Sequence, residues 1–253
     1  MFTRALVRTP GRSLVEGLTT SNLGKPEYHK ALDQHSAYVD ALKACGLEVD
    51  VLPPLEDFPD SCFIEDVALL TPACAILTRP GAPSRLGETD GMREILGKYY
   101  DSIEQIQMPG TVEGGDIMMV GPHFYIGISE RTNAEGARQM IDILNKYDLT
   151  GSTIPLREIL HLKTGIGYLE KGTLAAFGEM LSRDEFAEFT IIQVPNDEFY
   201  AANCIWVNGT VLVPAGHPRT SRIIHEAGYT VMEVNVSEFQ KLDGGLSCLS
   251  LRF

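Results

Sequence analysis

The sequence predicts an α/β fold, five repeats of strand–strand–helix–strand arranged as a five-bladed α/β propeller around a central axis. Three observations predict it. Four stretches read as hairpins, each made of two apolar runs around a turn. After each comes a helical pattern, then another short strand-like run. Finally, the first strands carry Asp66, Asp116, His161, Asn203 and Cys248 at intervals of 50, 45, 42 and 45 residues, the spacing of an array of like supersecondary pieces.

Taken in chain order, FTRALVRTP (2–10) is a strand, and PEYHKALDQHSAYVDALKACG (26–46) is a helix with Pro at N1 and Gly at C′. Its stripe Tyr28, Ala31, Leu32, His35, Tyr38, Val39, Leu42 and Cys45 faces a core, and LEVDVL follows as a strand. CFIEDVALLTPACAILTRPG (62–81) is a hairpin around TPAC; SRLGETDGMREILGKYY then leads to IEQIQ. VEGGDIMMVGPHFYIGIS (112–129) repeats the plan around GPH. RTNAEGARQMIDILNKY (131–147) is its helix, with Thr132 and Glu135 as a capping box and Met140, Ile141, Leu144 and Tyr147 on one face, before STIPL. LHLKTGIGYLEKGTLAAFG (160–178) turns at EKG, and EMLSRDEFAEF reads as the helix before TIIQV. ANCIWVNGTVLVPAG (202–216) turns at Asn208-Gly209, the favoured type I′ pair, with RTSRIIHEAG and TVMEV behind it. GLSCLSLRF and FTRALVRTP then join the chain ends into the fifth hairpin.

Neither a low-complexity stretch nor a long linker interrupts residues 1–253, which read as a single catalytic domain. A 44% hydrophobic and 22% charged composition is that of a globular protein, and runs such as VALL are far too short to cross a bilayer. The start, MFTRALVRTPGRS, has no apolar core of a signal peptide, so a cytoplasmic location is the default and no membrane partner is expected. The 34 acidic against 21 basic residues, net −13, argue against nucleic acid. Such a field draws cationic small molecules, although solubility alone also accounts for it. Five cysteines without a CxxC pair and six scattered histidines without HExxH give neither a disulfide framework nor a zinc ribbon.

On the inner strands the fold would gather Glu65, Asp66, Glu113, Asp116, His161, Asn203 and Cys248. Any one of these acids, taken alone, reads rather as a hairpin cap or a surface residue. Buried carboxylates are costly unless paired, so the set, with a thiol and an imidazole, points to a cationic, planar guest such as a guanidinium. Bidentate carboxylates would hold that group in a plane. A thiolate would attack its carbon, and an imidazole would protonate the departing amine and then activate water.

The motifs SLVEGLTTSNLGKP, LPPLEDFPDSCFIED, TRPGAPSRLGET, PGTVEGGDIMMVG, RTNAEGARQM, LHLKTG, YAANCIWVN and DGGLSCLSLRF closely resemble those of the dimethylarginine dimethylaminohydrolases. This is the single-domain branch of the guanidino-group modifying, or pentein, enzymes, and the resemblance runs along nearly the whole chain. It implies the same five-bladed propeller and hydrolysis of Nω-mono- and Nω,Nω-dimethyl-L-arginine to L-citrulline and methylamine or dimethylamine. The resemblance makes Cys248 the nucleophile, forming an S-alkylthiouronium, His161 the general acid and base, and Glu113 the carboxylate that orients it. By the same resemblance Asp66 grips the guanidinium nitrogens, and Glu65 and Asp60 contact the substrate. Arg85 and Arg131 take its α-carboxylate. Leu18, in a Gly/Ser/Thr-rich lid (13–25), and Leu242 touch it through their backbones. Asp116 reads as structural, and Cys45, Cys62, Cys74 and Cys204 read as packing thiols. No organic cofactor and no catalytic metal are implied, zinc entering only as an inhibitor at the Cys–His site, and a homodimer is an open arrangement. The rival readings are an arginine or agmatine deiminase of the same superfamily, against which the compact length argues, and a non-catalytic propeller binding protein. A cysteine protease has no need of the carboxylates.

Overall fold

The structure, a computed structural model, describes residues 1–253. In chain order the strands and α-helices are β1 (Arg4–Arg8), α1 (Tyr28–Ala44), β2 (Glu48–Leu52), β3 (Ala68–Leu70), β4 (Ala75–Leu77), α2 (Met92–Leu96) and β5 (Ile103–Gln105). They continue with β6 (Ile117–Val120), β7 (His123–Ile128), α3 (Ala134–Asn145), β8 (Thr150–Pro155), α4 (Leu162–Gly165), β9 (Ile166–Tyr168), β10 (Thr173–Ala176) and β11 (Thr190–Gln193). The last are β12 (Ile205–Val207), β13 (Thr210–Pro214), α5 (Pro218–Glu226), β14 (Thr230–Val234), α6 (Ser237–Gln240) and β15 (Leu251–Arg252).

Five three-stranded sheets result, ordered β15-β1-β2, β3-β4-β5, β6-β7-β8, β9-β10-β11 and β12-β13-β14. Each has one rule: the first pair is antiparallel and the second parallel. A short turn suffices for the antiparallel pair, whereas the parallel return needs a crossover, and the helical segments supply it. The fifth sheet forms as expected, with Ala5 opposite Arg252 and Leu6 opposite Leu251. At the β12–β13 turn Asn208 and Gly209 both have positive φ (49° and 97°), the requirement of the predicted type I′ turn.

The chain forms two compact units. One comprises Met1–Ile64 and Thr164–Arg252; the other comprises Glu65–Lys163 with Phe253. In the first, α1 packs on β14 and α6 and buries Ala31, His35, Tyr38, Val39 and Leu42 in a core shared with Phe63, Phe239 and Leu246. The expected stripe is thus largely borne out, Tyr28, Leu32 and Cys45 being half-buried at its margin. In the second, α3 packs on β7 and β8 and buries Ala137, Met140 and Leu144 against Phe124 and Ile126.

The structure corrects four local expectations. The first helix starts at Tyr28 rather than at Pro26, with Glu27 at its N-cap, although Gly46 ends it at φ 88° as foreseen. The cap of α3 is Asn133, whose side chain accepts from Gly136 N–H at 2.7 Å, and not Thr132. The Thr132 hydroxyl instead accepts from the Glu113 N–H at 3.1 Å. EMLSRDEFAEF forms two 3-10 segments, Gly178–Ser182 and Asp184–Phe186, because Arg183 between them is extended (φ −82°, ψ 124°). Finally, the periodic residues lie on turns just ahead of the inner strands, not on them. Asp66, Asp116 and Cys248 sit in 3-10 turns, His161 directly before α4, and Asn203 at the end of the 3-10 segment Asn196–Ala202.

Candidate active site

The second unit holds a buried group built around His161. The Glu113 carboxylate, fully buried, meets His161 Nε2 at 2.7 Å through Oε2. Its other oxygen, Oε1, accepts the N–H of Gly81 at 3.0 Å and of Ala82 at 3.3 Å, and lies 3.7 Å from Arg131 Nη1. Two backbone donors therefore fix the carboxylate that fixes the imidazole. Gly115 makes room for the ring, since a Cβ there would lie 2.9 Å from His161 Nδ1. Asp66 Oδ1 accepts from Gly115 N–H at 2.8 Å, and its Oδ2 accepts from Arg85 Nη1 at 2.6 Å. Asp116 is fully buried as well, accepting from Leu162 N–H at 3.0 Å and from the Ser129 hydroxyl at 2.7 Å.

These placements set the charges. Burial would strip the proton from His161, but the negative fields of Asp116 and Asp66 and the Glu113 contact outweigh it and raise its pKa to about 9. Burial likewise opposes ionisation of Asp66, yet Arg85 and His161 bring its pKa below the ordinary value. Asp116 goes the other way: burial dominates and raises it. Arg85 is itself buried, and Asp66 and Glu88 keep it charged, with Glu88 taking Nε at 2.9 Å and Nη2 at 2.8 Å. Glu65 pairs with Lys163 at 2.5 Å. Glu88 and Lys163 were not singled out from sequence, although one follows Arg85 by three residues and the other follows His161 by two. Asp66, Glu113 and His161 also bring one donor atom each within 4.8 Å of one another, the set able to hold a metal ion. Those donors are already engaged by Arg85, by backbone N–H groups and by each other.

The first unit holds the remaining candidates. Asp60, buried, accepts the Leu18 N–H through both oxygens, at 3.0 and 3.3 Å. Gly17 is the neighbour whose absent Cβ lets Asp60 and the Leu242 side chain close in, at 2.8 and 2.9 Å from that position. Leu18 is exposed, while Leu242 is buried in the core. The loop is tied further along: the Thr19 hydroxyl donates to the Lys241 carbonyl at 2.8 Å, and Thr20 donates to the Asp243 carboxylate from its N–H at 2.5 Å and its hydroxyl at 3.0 Å. Cys248, half-buried, packs beside the same core. Its Sγ accepts from the Gly245 N–H at 3.4 Å, and its own N–H donates to the Gly245 carbonyl at 3.2 Å. Tyr38 ties this region down from α1, its hydroxyl meeting the Leu246 carbonyl at 2.9 Å and the Ser250 hydroxyl at 2.6 Å. Among the remaining thiols, burial raises the pKa of Cys45 and Cys74, and pushes that of Cys204 up to about 12. Thiols held protonated in this way are poor nucleophiles.

Against known proteins, the family described as N,N dimethylarginine dimethylhydrolase, eukaryotic, matches residues 21–161. The N(G),N(G)-dimethylarginine dimethylaminohydrolase of Pseudomonas aeruginosa is 59% identical over 254 residues, covering all of both chains. That of Streptomyces coelicolor is 35% identical over 98% of this chain and 96% of its own. Among solved structures, a cysteine-to-serine variant of the Pseudomonas aeruginosa enzyme complexed with citrulline superposes with a TM-score of 0.99 at 58% identity, over all of both chains. The five-repeat α/β propeller fold expected from the sequence is therefore the fold of this protein. With identity of this degree running from one end to the other, the chain belongs to the dimethylarginine dimethylaminohydrolase family.

Proposed function

We propose that this protein hydrolyses Nω-mono- and Nω,Nω-dimethyl-L-arginine to L-citrulline and methylamine or dimethylamine. The observation that carries the reading is the buried Glu113–His161 contact at 2.7 Å among further carboxylates. It makes an imidazole that is protonated at neutral pH, and the C–N bond to so poor a leaving group breaks only once the departing nitrogen has been given a proton. The Cys248 thiolate adds to the guanidinium carbon; His161 gives its proton to the methylated nitrogen; the C–N bond breaks and an S-alkylthiouronium remains. His161, now neutral, takes a proton from water, the hydroxide adds to the same carbon, and the C–S bond breaks as the new hydroxyl gives up its proton to solvent, releasing citrulline and the thiolate with His161 protonated again. Glu113 keeps the imidazole ring aligned throughout both half-reactions.

In this reading Asp66 and Glu65 face the guanidinium, and Asp60, Leu18 and Leu242 hold the amino-acid end. Arg131 and Arg85 take its carboxylate. Glu88 and Asp66 already engage the Arg85 fork, so Arg85 acts there chiefly as a positive charge held in place. A single catalytic domain completes the reading, supported by alignment over the full length of the relatives; no helix is long and apolar enough to cross a membrane. An arginine deiminase activity is the competing chemistry within the fold. Mass spectrometry of protein quenched during turnover of dimethylarginine tests the proposal. A substrate-derived adduct on the peptide containing Cys248, with citrulline in solution, is the expected result. Faster turnover of unmethylated arginine, or no adduct during active turnover, overturns it.

A further inference from the structure

We propose that Asn203 is a positioning residue for Cys248, its side-chain amide fixing the turn Gly245–Cys248 so that the sulfur rests on the Gly245 N–H. The proposal rests on Cys248 being the nucleophile. Asn203 is 6% exposed, and both ends of its amide are used on the residue just before the cysteine. Oδ1 accepts the Ser247 N–H at 2.9 Å, and Nδ2 donates to the Ser247 hydroxyl at 3.0 Å. The same amide covers Gly245, where a Cβ would lie 2.4 Å from Asn203 Oδ1. Within the turn, the Cys248 N–H donates to the Gly245 carbonyl at 3.2 Å and the Gly245 N–H donates back to Sγ at 3.4 Å. From the same segment as Asn203, the Tyr200 hydroxyl donates to the Gly244 carbonyl at 2.7 Å.

The chemistry follows from this arrangement. An N–H aimed at sulfur stabilises a thiolate more than a thiol and so favours the reactive form. It can do so only while the turn holds its shape, and a small misplacement of a reacting atom is costly in rate. Asparagine suits the task because one planar group supplies a donor and an acceptor together. An aspartate would lose the donor and set a negative charge beside the sulfur.

The test uses the full-length protein and its Asn203→Ala, Asn203→Asp and Cys248→Ser variants. Measured are kcat, KM, thermal unfolding, and the rate of Cys248 alkylation by iodoacetamide against pH, read by peptide mapping. Expected for Asn203→Ala is a fall in kcat of about 10- to 100-fold with KM within about threefold, and an alkylation midpoint moved to higher pH. Asn203→Asp moves that midpoint further up, because a carboxylate disfavours a neighbouring thiolate. A purely structural role would lower thermal stability and leave the alkylation profile and kcat of folded variants at wild-type values, and that result overturns the proposal. Should Asn203→Ala fail to fold, Asn203→Ser, which removes the amide without adding charge, decides by the same criteria. Turnover by Cys248→Ser would remove the nucleophile reading, and the proposal with it, whatever the Asn203 variants do.

Discussion

His161 keeps its proton because three carboxylates outweigh the cost of burying its charge, and this has a measurable cost at alkaline pH. Its pKa in the folded protein, about 9, lies above its ordinary 6.5. The stabilisation it brings is fully present below about pH 6.5 and is lost as the pH rises through 9. The wild-type melting temperature should therefore fall between those values by several degrees more than that of His161→Gln, on the order of 5 °C for a chain of this size; parallel melting curves would remove the charged imidazole from the account. Arg85 is a second case. Glu88 takes two of its donors in a buried site, so Glu88→Ala should destabilise the fold by about 3 kcal/mol in urea unfolding, the range for breaking a buried ion pair. An unchanged urea midpoint would show that the other partners of Arg85 suffice. At this scale Cys248 and His161 stood out as candidates, since a thiol and an imidazole at repeated positions are chemically conspicuous, whereas Glu113 was separated from its neighbour Asp116 only by the family resemblance. Glu88 and Lys163 were not, because an ion pair is a fact of geometry and neither residue occupies a periodic position.

The loop that carries Leu18 is unpaired backbone between the 3-10 turn Arg12–Glu16 and α1, and side chains hold it rather than a sheet ladder. Asp60 grips it at Leu18, while Lys241 and Asp243 grip it at Thr19 and Thr20. Asp243 has φ 58°, so asparagine is the replacement that keeps its conformation while removing its charge. Asp243→Asn should speed proteolytic cleavage within residues 18–25 about threefold or more, as local opening becomes easier, and raise KM more than it lowers kcat. Cleavage at the wild-type rate would show the latch to be incidental. Gly244 gives a steric prediction at the same scale: a Cβ would lie 2.1 Å from the Phe63 ring, so Gly244→Ala should cost about 1–3 kcal/mol through overpacking, checked by chemical denaturation. Hairpins and returning strands were legible because alternation and the Asn208-Gly209 pair encode them locally. Helix boundaries were less so. Thr132 and Asn133 both suit a cap, and because the Glu113 N–H engages the Thr132 hydroxyl, the cap falls to the Asn133 amide oxygen. In EMLSRDEFAEF an extended Arg183 split what the periodicity presented as one helix.

For the whole molecule, a net charge of −13 should speed the capture of a cation. The kcat/KM for dimethylarginine is expected to fall about threefold or more between roughly 0.01 and 1 M salt, as the screening length shrinks below the size of the protein; a flat salt response would assign the charge to solubility alone. The five-fold repetition was visible in sequence because each sheet needs the same antiparallel-then-parallel order, and that order leaves a fixed spacing behind. The placement of Asp66, Asp116, His161, Asn203 and Cys248 on turns ahead of the strands was not visible, since period alone does not distinguish a strand's first residues from the bend that feeds it. That placement bears on how such a scaffold changes over evolutionary time. A bend leading into a sheet is free of the pairing that binds the ladder behind it, so each of the five repeats presents one side chain whose choice the sheet does not dictate. In this chain the five carry two acids, a base, an amide and a thiol.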